Sequence, residues 1–579
     1  MKRLAIALCL LLAFAPFADA KDVRVAGTTL SVTDDGGGGE SLWTPNLPAL
    51  EVDTTLPTGW NGTADATPAD GAALETALAA VNQNGSGPYI IQLTAGATYT
   101  TATAGGFKIP NKTGSQWLII RSSAYASLPA YGTRATSSDA TNMAKIRGTG
   151  TEPALWSEFA SHNVRFIGIE VTTDYTVRTS TVNSLVYHGR NPVLDSYPTL
   201  LSDVPSYVVW DRCYLHGTST GNIRRGIQLD AKYAAVIDSY ISDIHEVGAD
   251  NQGILCFNSP GPILLENNYI EASCENVMFG GADPTITDLV PSDITVTHNY
   301  FFKPLTWRTD HGTYAGINWS VKNHFELKNA RRVLIEGNVF KNHWPIGQGH
   351  PIVFTPRNQG GTAEWSVVDD VTFRLNKIYN CASCFNITPT DDGGGGDSAI
   401  TNRMLIENNL CITDGTTWNL GTGRNHLGLE SNAEAKVMGY FTVKHNTFVE
   451  LSTLGAMALG NAVDDFATNS RIIDNILMNG INGFKGDGYN GGTASLDVIF
   501  SANRTWNNVV VYQSPDSNPA IFTYPATTHE LNGNADVGYV NFAGGDYSIT
   551  SGSYNNAASD GTDYGADISA VNAAISGVE

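Results

Sequence analysis

Residues 333–340 read VLIEGNVF, and residues 371–378 read VTFRLNKI. Each is an apolar strand, a polar turn with Asn, and a second short strand. The same form recurs as VVWDRCYL (208–215), AVIDSYI (235–241), LLENNYI (264–270), TVTHNYF (295–301), MLIENNLC (404–411), FTVKHNTF (441–448), RIIDNIL (471–477) and IFSANRTW (499–506). The turn position falls at Cys213, Ser239, Asn268, Asn299, Asn338, Asn376, Asn409, Asn446, Asn475 and Asn503. A repeat of some 26 to 39 residues with irregular insertions describes a solenoid, one supersecondary unit per turn.

The strand residues are Val, Ile, Leu and Phe, which suit strands stacked about 4.8 Å apart around an apolar interior. Asn at the turn tolerates left-handed backbone, and its amide bonds neighbouring backbone. Stacked from coil to coil, such side chains also bond each other in a ladder. About ten to twelve coils are expected, in an all-β chain.

Outward from the repeat, residues 69–100 place Leu74, Leu78 and Val81 at helical spacing, with Gly85 and Gly87 beyond them. The strand Tyr89–Leu93 follows. A short amphipathic helix feeding a strand resembles the N-terminal cap of pectin-lyase-like proteins, covering the open end of the stack. Short strands, Gly turns and a closing GAD near the C-terminus resemble the last coil of secreted proteins of that superfamily. The resemblance runs from about residue 69 to 575. It implies a right-handed, single-stranded parallel β-helix with a short capping helix. The expected organisation is 1–20 signal peptide, 21–68 lead-in, 69–505 β-helix, and 506–579 last coils and C-terminal cap.

The opening MKRLAIALCLLLAFAPFADA has a basic start, an apolar run of secretory length and an A-D-A cleavage site. The protein is expected to be secreted or periplasmic, monomeric, and without a membrane partner. A net charge of −22 points away from nucleic acid. Beyond the signal, export permits disulfides among Cys213, Cys256, Cys274, Cys381, Cys384 and Cys411. Cys381-Ala-Ser-Cys384 is read as a structural bridge or buried thiols, and no second CxxC supports zinc.

Against that acidic background, residues 298–360 reverse the charge. They hold eight Lys and Arg against three acids, and five of the twelve histidines. The strands preceding each turn Asn, namely GIQLDA (226–231), GILCFN (253–258), NVMFGG (276–281), HFELKN (324–329) and PIVFTP (351–356), are expected to line a groove. Alternation turns Phe325, Leu327, Ile352 and Phe354 inward, and His324, Glu326, Lys328, Thr355 and Arg357 outward. Lys328 and Arg357 then lie on neighbouring rungs, where two cations invite an anion.

The stretch ENVMFGGADPTITDLVPSDITVTHNYFFKPLTWR (275–308) looks like the pectate lyase segment in which an Ile-Gly strand is followed by Ser-Asp and VT-x-H-H-N-x-F. In that family an Arg beyond the motif removes the C5 proton of a uronate. Counting forward from Asn299 gives Arg308; counting back from Asn338 gives His324. The family's calcium-holding Asp falls at Cys256 here, and its Lys falls at Glu275. A soft thiol suits Ca²⁺ poorly, so no metal and no other cofactor is expected.

β-Elimination needs a base at C5, a partner for the carboxylate and an acid for the leaving oxygen. His324, Arg308 and Lys328 are the catalytic candidates. Arg357, Glu326, Lys322 and Lys303 are candidates for binding an acidic polysaccharide, with Trp307, Trp319 and Trp344 stacking on sugar faces. Two other readings stay open. One is a noncatalytic carbohydrate-binding or adhesin β-helix. The other is a hydrolase using paired carboxylates such as Asp230 and Asp250.

Overall fold

Three long sheets wrap one interior. The first has 13 strands, the second 14 and the third 12, and every neighbouring pair within them is parallel. Successive strands of the chain visit the first, second and third sheet in turn, so each circuit adds one rung to all three. The chain is therefore an all-β parallel β-helix, at or just above the expected number of coils.

This computed structural model describes residues 40–579 apart from 83, 86, 345, 392–394, 420–424, 431–435, 453–455, 461–464, 480–482, 487, 501–502 and 513–521. The signal peptide (1–20) and the first part of the lead-in lie outside the described residues. Leu42–Glu579 forms one compact unit.

The capping helix spans Gly71–Ala79. Asp70 caps it by accepting from the Ala73 amide at 2.9 Å, and Leu74, Ala77 and Leu78 are buried against the first coil. A Cβ on Gly71 would lie 1.7 Å from the Thr100 carbonyl oxygen, so only glycine allows this approach.

The asparagine ladder forms. The Asn299 amide group donates to the side-chain oxygen of Asn338 at 3.1 Å, Asn338 to Asn376 at 3.0 Å, and Asn409 to Asn446 at 2.9 Å. Each also donates to a backbone carbonyl one coil back, as Asn338 does to Val296. Two details differ from the expectation. The left-handed residue is the one before the ladder position, as at His298 (φ 58°), Leu375 (φ 55°) and His445 (φ 50°). The ladder also ends at Asn475: Ile476 pairs with Val510, so Val509, not Asn503, takes the next turn position.

Phe325, Leu327, Ile352 and Phe354 face the interior and are fully buried. Buried imidazoles interrupt this apolar column. His188 sits between Ser157 Oγ (2.7 Å) and Trp210, whose indole N–H donates to His188 Nε2 at 3.0 Å. Burial pushes its pKa down to about 3. Cys384 is bridged to Cys411 rather than to Cys381; Cys213, Cys256, Cys274 and Cys381 are buried free thiols.

The first described residues and the C-terminal segment run back along the helix. The N-terminal segment lies on the outer face of the first sheet: Asn46 binds Asp370, the Ala49 amide binds Asp293, and Thr54 accepts from Arg165. The C-terminal segment carries a helix at Ile568–Ala574 and follows the ladder corner, binding Asp474 through Gly565 and Arg134 through the Val578 carbonyl. Among the described residues, neither segment is bonded to the outer face of the third sheet.

Candidate functional site

The strands read as groove walls all belong to the third sheet. Its register places Gln228, Leu255, Met278, Glu326, Val353 and Asn386 in one outward row across six coils. A second row, nearer the strand starts, aligns Arg225, Gln252 and Glu275.

Acids and lysines meet where these rows pass the 322–328 segment. Lys322 Nζ lies 2.7 Å from Glu275 and 2.8 Å from Asp250. Gln252 donates to the other oxygen of Glu275 at 2.8 Å. Lys328 Nζ lies 2.6 Å from Glu326 and 3.3 Å from Thr355 Oγ1. Arg357 is held on the next rung by its amide, which donates to the Lys328 carbonyl at 2.8 Å, and by an ion pair with Asp391 at 2.9 Å. Lys328 and Arg357 are neighbours as the alternation requires, and each has its own carboxylate.

Burial sets the ionisation here. Glu275 is fully buried, and loss of solvent together with the nearby Glu326 charge raises its pKa, with Lys322 opposing. For Glu326 the burial penalty is outweighed by Lys328 and Lys322, so its pKa falls. Burial works against the Lys322 ammonium too, but Glu275 and Glu326 hold its pKa well above the usual lysine range.

The remaining candidates from the sequence belong to the scaffold. His324 is buried with Nδ1 3.3 Å from Asn276 Oδ1, and burial, with Lys303 and His343 nearby, lowers its pKa well below the usual value. Lys303 is fully buried and donates to the carbonyls of Ala272, Ser273 and Cys274 and to Asn276 Oδ1, which ties the corner between the second and third sheets together. Burial lowers its pKa to about 7.

Arg308 is buried, forks onto Asp310, donates to the Thr417 carbonyl and lies over Trp418. Trp307, Trp319 and Trp344 form a small core with Val321, Ala382 and Trp418, and Trp319 stacks on His245 at 3.7 Å. Their faces are covered by that core. The long insertion between Asn299 and Asn338 is a packed lobe, which is why counting from either end lands inside it.

Asp230 and Asp250 form no pair. Asp230 accepts from the Phe257 and Asn258 amides and from Gln228, with its pKa raised to about 6 by complete burial, while Asp250 serves Lys322. The residues present also do not fit calcium. Cys256 points into the core, and the acids of the site converge on lysine ammoniums. Among the described residues, no group of three or more His, Cys, Asp and Glu side chains is arranged to hold a metal ion.

Residues missed by the sequence reading are Glu275 as a site acid, Gln252 and Arg225. All three lie one position before the strand windows quoted from the sequence, which began at 276, 253 and 226. Reading the row across coils, rather than each strand alone, finds them.

No protein-family profile matches the chain, and no curated protein matches it in sequence. Among solved structures it is similar to the PL6-family alginate lyase AlyGC, at 11% identity and TM-score 0.47, over 87% of this chain and 56% of that one. The chain thus spans little more than half the length of that lyase. It is similar to pectate lyase Pel9A, at 11% identity and TM-score 0.29, over 88% of this chain and 98% of that one. A third is the surface protein and adhesin PfbA of Streptococcus pneumoniae, at 12% identity and TM-score 0.29, over 69% and 96%. These likenesses are of fold alone. Among the described residues, no helix is long and apolar enough to cross a membrane. Three parallel sheets, one rung per circuit, and a buried asparagine ladder at the turn between the first two give this chain a parallel β-helix fold.

Proposed function

We propose that this protein is an exported polysaccharide lyase that cleaves a uronate-containing polysaccharide by β-elimination on the outer face of the third sheet. The observation that supports this reading is the pair Lys328–Glu326 at 2.6 Å, set on adjacent rungs with Arg357.

Arg357, about a third exposed, presents a fork suited to a carboxylate and neutralises the uronate. Lys328 acts as the free amine, after its ammonium has released a proton to solvent. Its amine takes the C5 proton, the C5–H electrons form the C4–C5 double bond, and the C4–O4 bond breaks. The same proton then passes from Lys328 to the leaving O4, so the atoms balance with no other reactant. Lys322 keeps positive charge beside the developing carboxylate anion, and Glu275 holds Lys322 in place. No resident metal enters these steps.

The test is incubation with a panel of polyuronates while following ultraviolet absorbance of the unsaturated product. A rise with at least one member is expected. Reducing ends released without the chromophore would assign a hydrolase, and binding without any product would assign a noncatalytic carbohydrate-binding protein.

A further inference from the structure

Two coils before Glu275, in the same outward row, stands Arg225. It is partly buried, its Nε is shut off from solvent without a hydrogen-bond partner, and among the described residues its guanidinium makes no ion pair. Burial and the nearby charges of Arg224 and Arg190 pull its pKa down. Asp230 feels the Arg225 charge but lies beyond ion-pair distance, and a cation so placed has lost hydration that no direct partner replaces.

Its surroundings are those of a sugar site. Arg190 lies over the Tyr187 ring at 4.8 Å and the Tyr197 ring at 5.5 Å, and donates to the Tyr187 hydroxyl at 2.9 Å. The Asp195 that pairs with Arg190 is three-quarters exposed, so its charge is largely spent on solvent. In the same patch, Gln228 Oε1 and Gln252 Oε1 are buried acceptors without a partner. Among the described residues, then, one guanidinium and one amide acceptor from each of two coils have unmet hydrogen-bonding capacity, beside the Tyr187 and Tyr197 rings.

The structure assigns to Arg225, with Arg190, Tyr187, Gln228 and Gln252, an anionic-sugar subsite that binds a charged unit of the polymer three rungs from the Lys328 coil. Three rungs are roughly 14 Å along the helix axis. The ligand chemistry is a sugar bearing a carboxylate or a sulfate ester, its anion on the Arg225 fork and its hydroxyls on the two glutamine acceptors. The inference rests on the proposed lyase reading for the identity of the polymer, but not for the existence of the subsite.

Calorimetric titration of Lys328→Ala protein, which does not consume the ligand, tests it with two probes: an oligouronate, and a sulfated oligosaccharide lacking uronate. Introducing Arg225→Gln is expected to weaken oligouronate binding at least tenfold, whereas Lys112→Gln, remote from the third-sheet rows, leaves it unchanged. In the otherwise wild-type enzyme, Arg225→Gln raises KM for long chains by a similar factor and leaves kcat within twofold. A tenfold loss confined to the sulfated probe would identify the anion as a sulfate ester. Unchanged affinity for both probes overturns the subsite.

Stability gives a second readout. Arg225→Met removes an unpaired charge, so it is expected to leave Tm unchanged or raise it, and a fall of several degrees would instead make Arg225 a structural residue. If no polyuronate is ever cleaved but Arg225→Gln still weakens binding, the lyase reading fails and the subsite stands.

Discussion

Lys322 Nζ lies 2.7 Å from the carboxylate of Glu275, a fully buried acid whose charge is thus countered from within the chain. Removing one member of such a pair leaves the other charge unmet. Lys322→Ala is expected to destabilise the protein by about 2 kcal/mol, less than for a wholly buried pair because Lys322 is partly exposed and Glu275 can take up a proton. Adding Glu275→Gln should recover about half of that loss. Urea melts of the two single variants and the double variant measure it; strictly additive losses would mean the pair is not coupled.

The same pairing bears on metals. Activity on a polyuronate is expected to be unchanged after dialysis against a chelator, and unchanged on adding calcium. A loss on chelation that calcium restores would contradict the assignment of the charge to Lys322.

The ladder should carry stability in its middle. Asn338 bridges its neighbours Asn299 and Asn376 and donates to two backbone carbonyls, Val296 out of solvent and Glu336 partly so. Asn338→Ala is expected to cost about 3 kcal/mol through several unpaired buried groups. Asn475 closes the ladder without a further side chain to donate to, so Asn475→Ala should cost about 1 kcal/mol less. Thermal melts rank the two; equal losses would show that the side-chain-to-side-chain bonds contribute little.

Acid should act through the buried imidazoles. His188 has its folded pKa pushed down to about 3, against about 6.5 in the unfolded chain. Between those values the unfolded state binds the extra proton, so this group's contribution falls as pH falls, by about 1.4 kcal/mol per pH unit once below 6.5. His188→Gln keeps acceptor and donor functions toward Trp210 and Ser157 without titrating. Its stability between pH 6 and 4 should therefore decline less steeply than wild type by that slope, with carboxylate effects common to both. Parallel curves would mean His188 is not neutral in the folded protein.

Much of the fold was legible because a β-helix repeats its physics. The apolar alternation at Phe325, Leu327, Ile352 and Phe354 and the turn residues from Asn268 to Asn475 are set by neighbours one coil away, and each coil restates them. The strand faces also placed Lys328, Glu326 and Arg357 on one surface.

What the sequence hid was whatever depended on an unrepeated insertion. Trp307, Arg308 and Trp319 look like an exposed basic and aromatic stretch, but the lobe packs against His245, Trp344 and Trp418 and buries them. His324 and Lys303 sit at a sheet corner, where alternation no longer says which way a side chain points. Arg225, Gln252 and Glu275 needed the register between coils, which no single strand supplies.

The most direct measurement is the initial rate of unsaturated-product formation on the best polyuronate for wild type, Lys328→Ala and Arg308→Lys. The account predicts a fall of roughly 10²–10⁴-fold for Lys328→Ala in protein that stays folded, its melt lowered about as for Lys322→Ala because Glu326 loses its partner, and a rate within a few-fold of wild type for Arg308→Lys. Lys328→Ala protein that keeps wild-type activity, or a loss confined to Arg308→Lys, would contradict a centre on the third sheet.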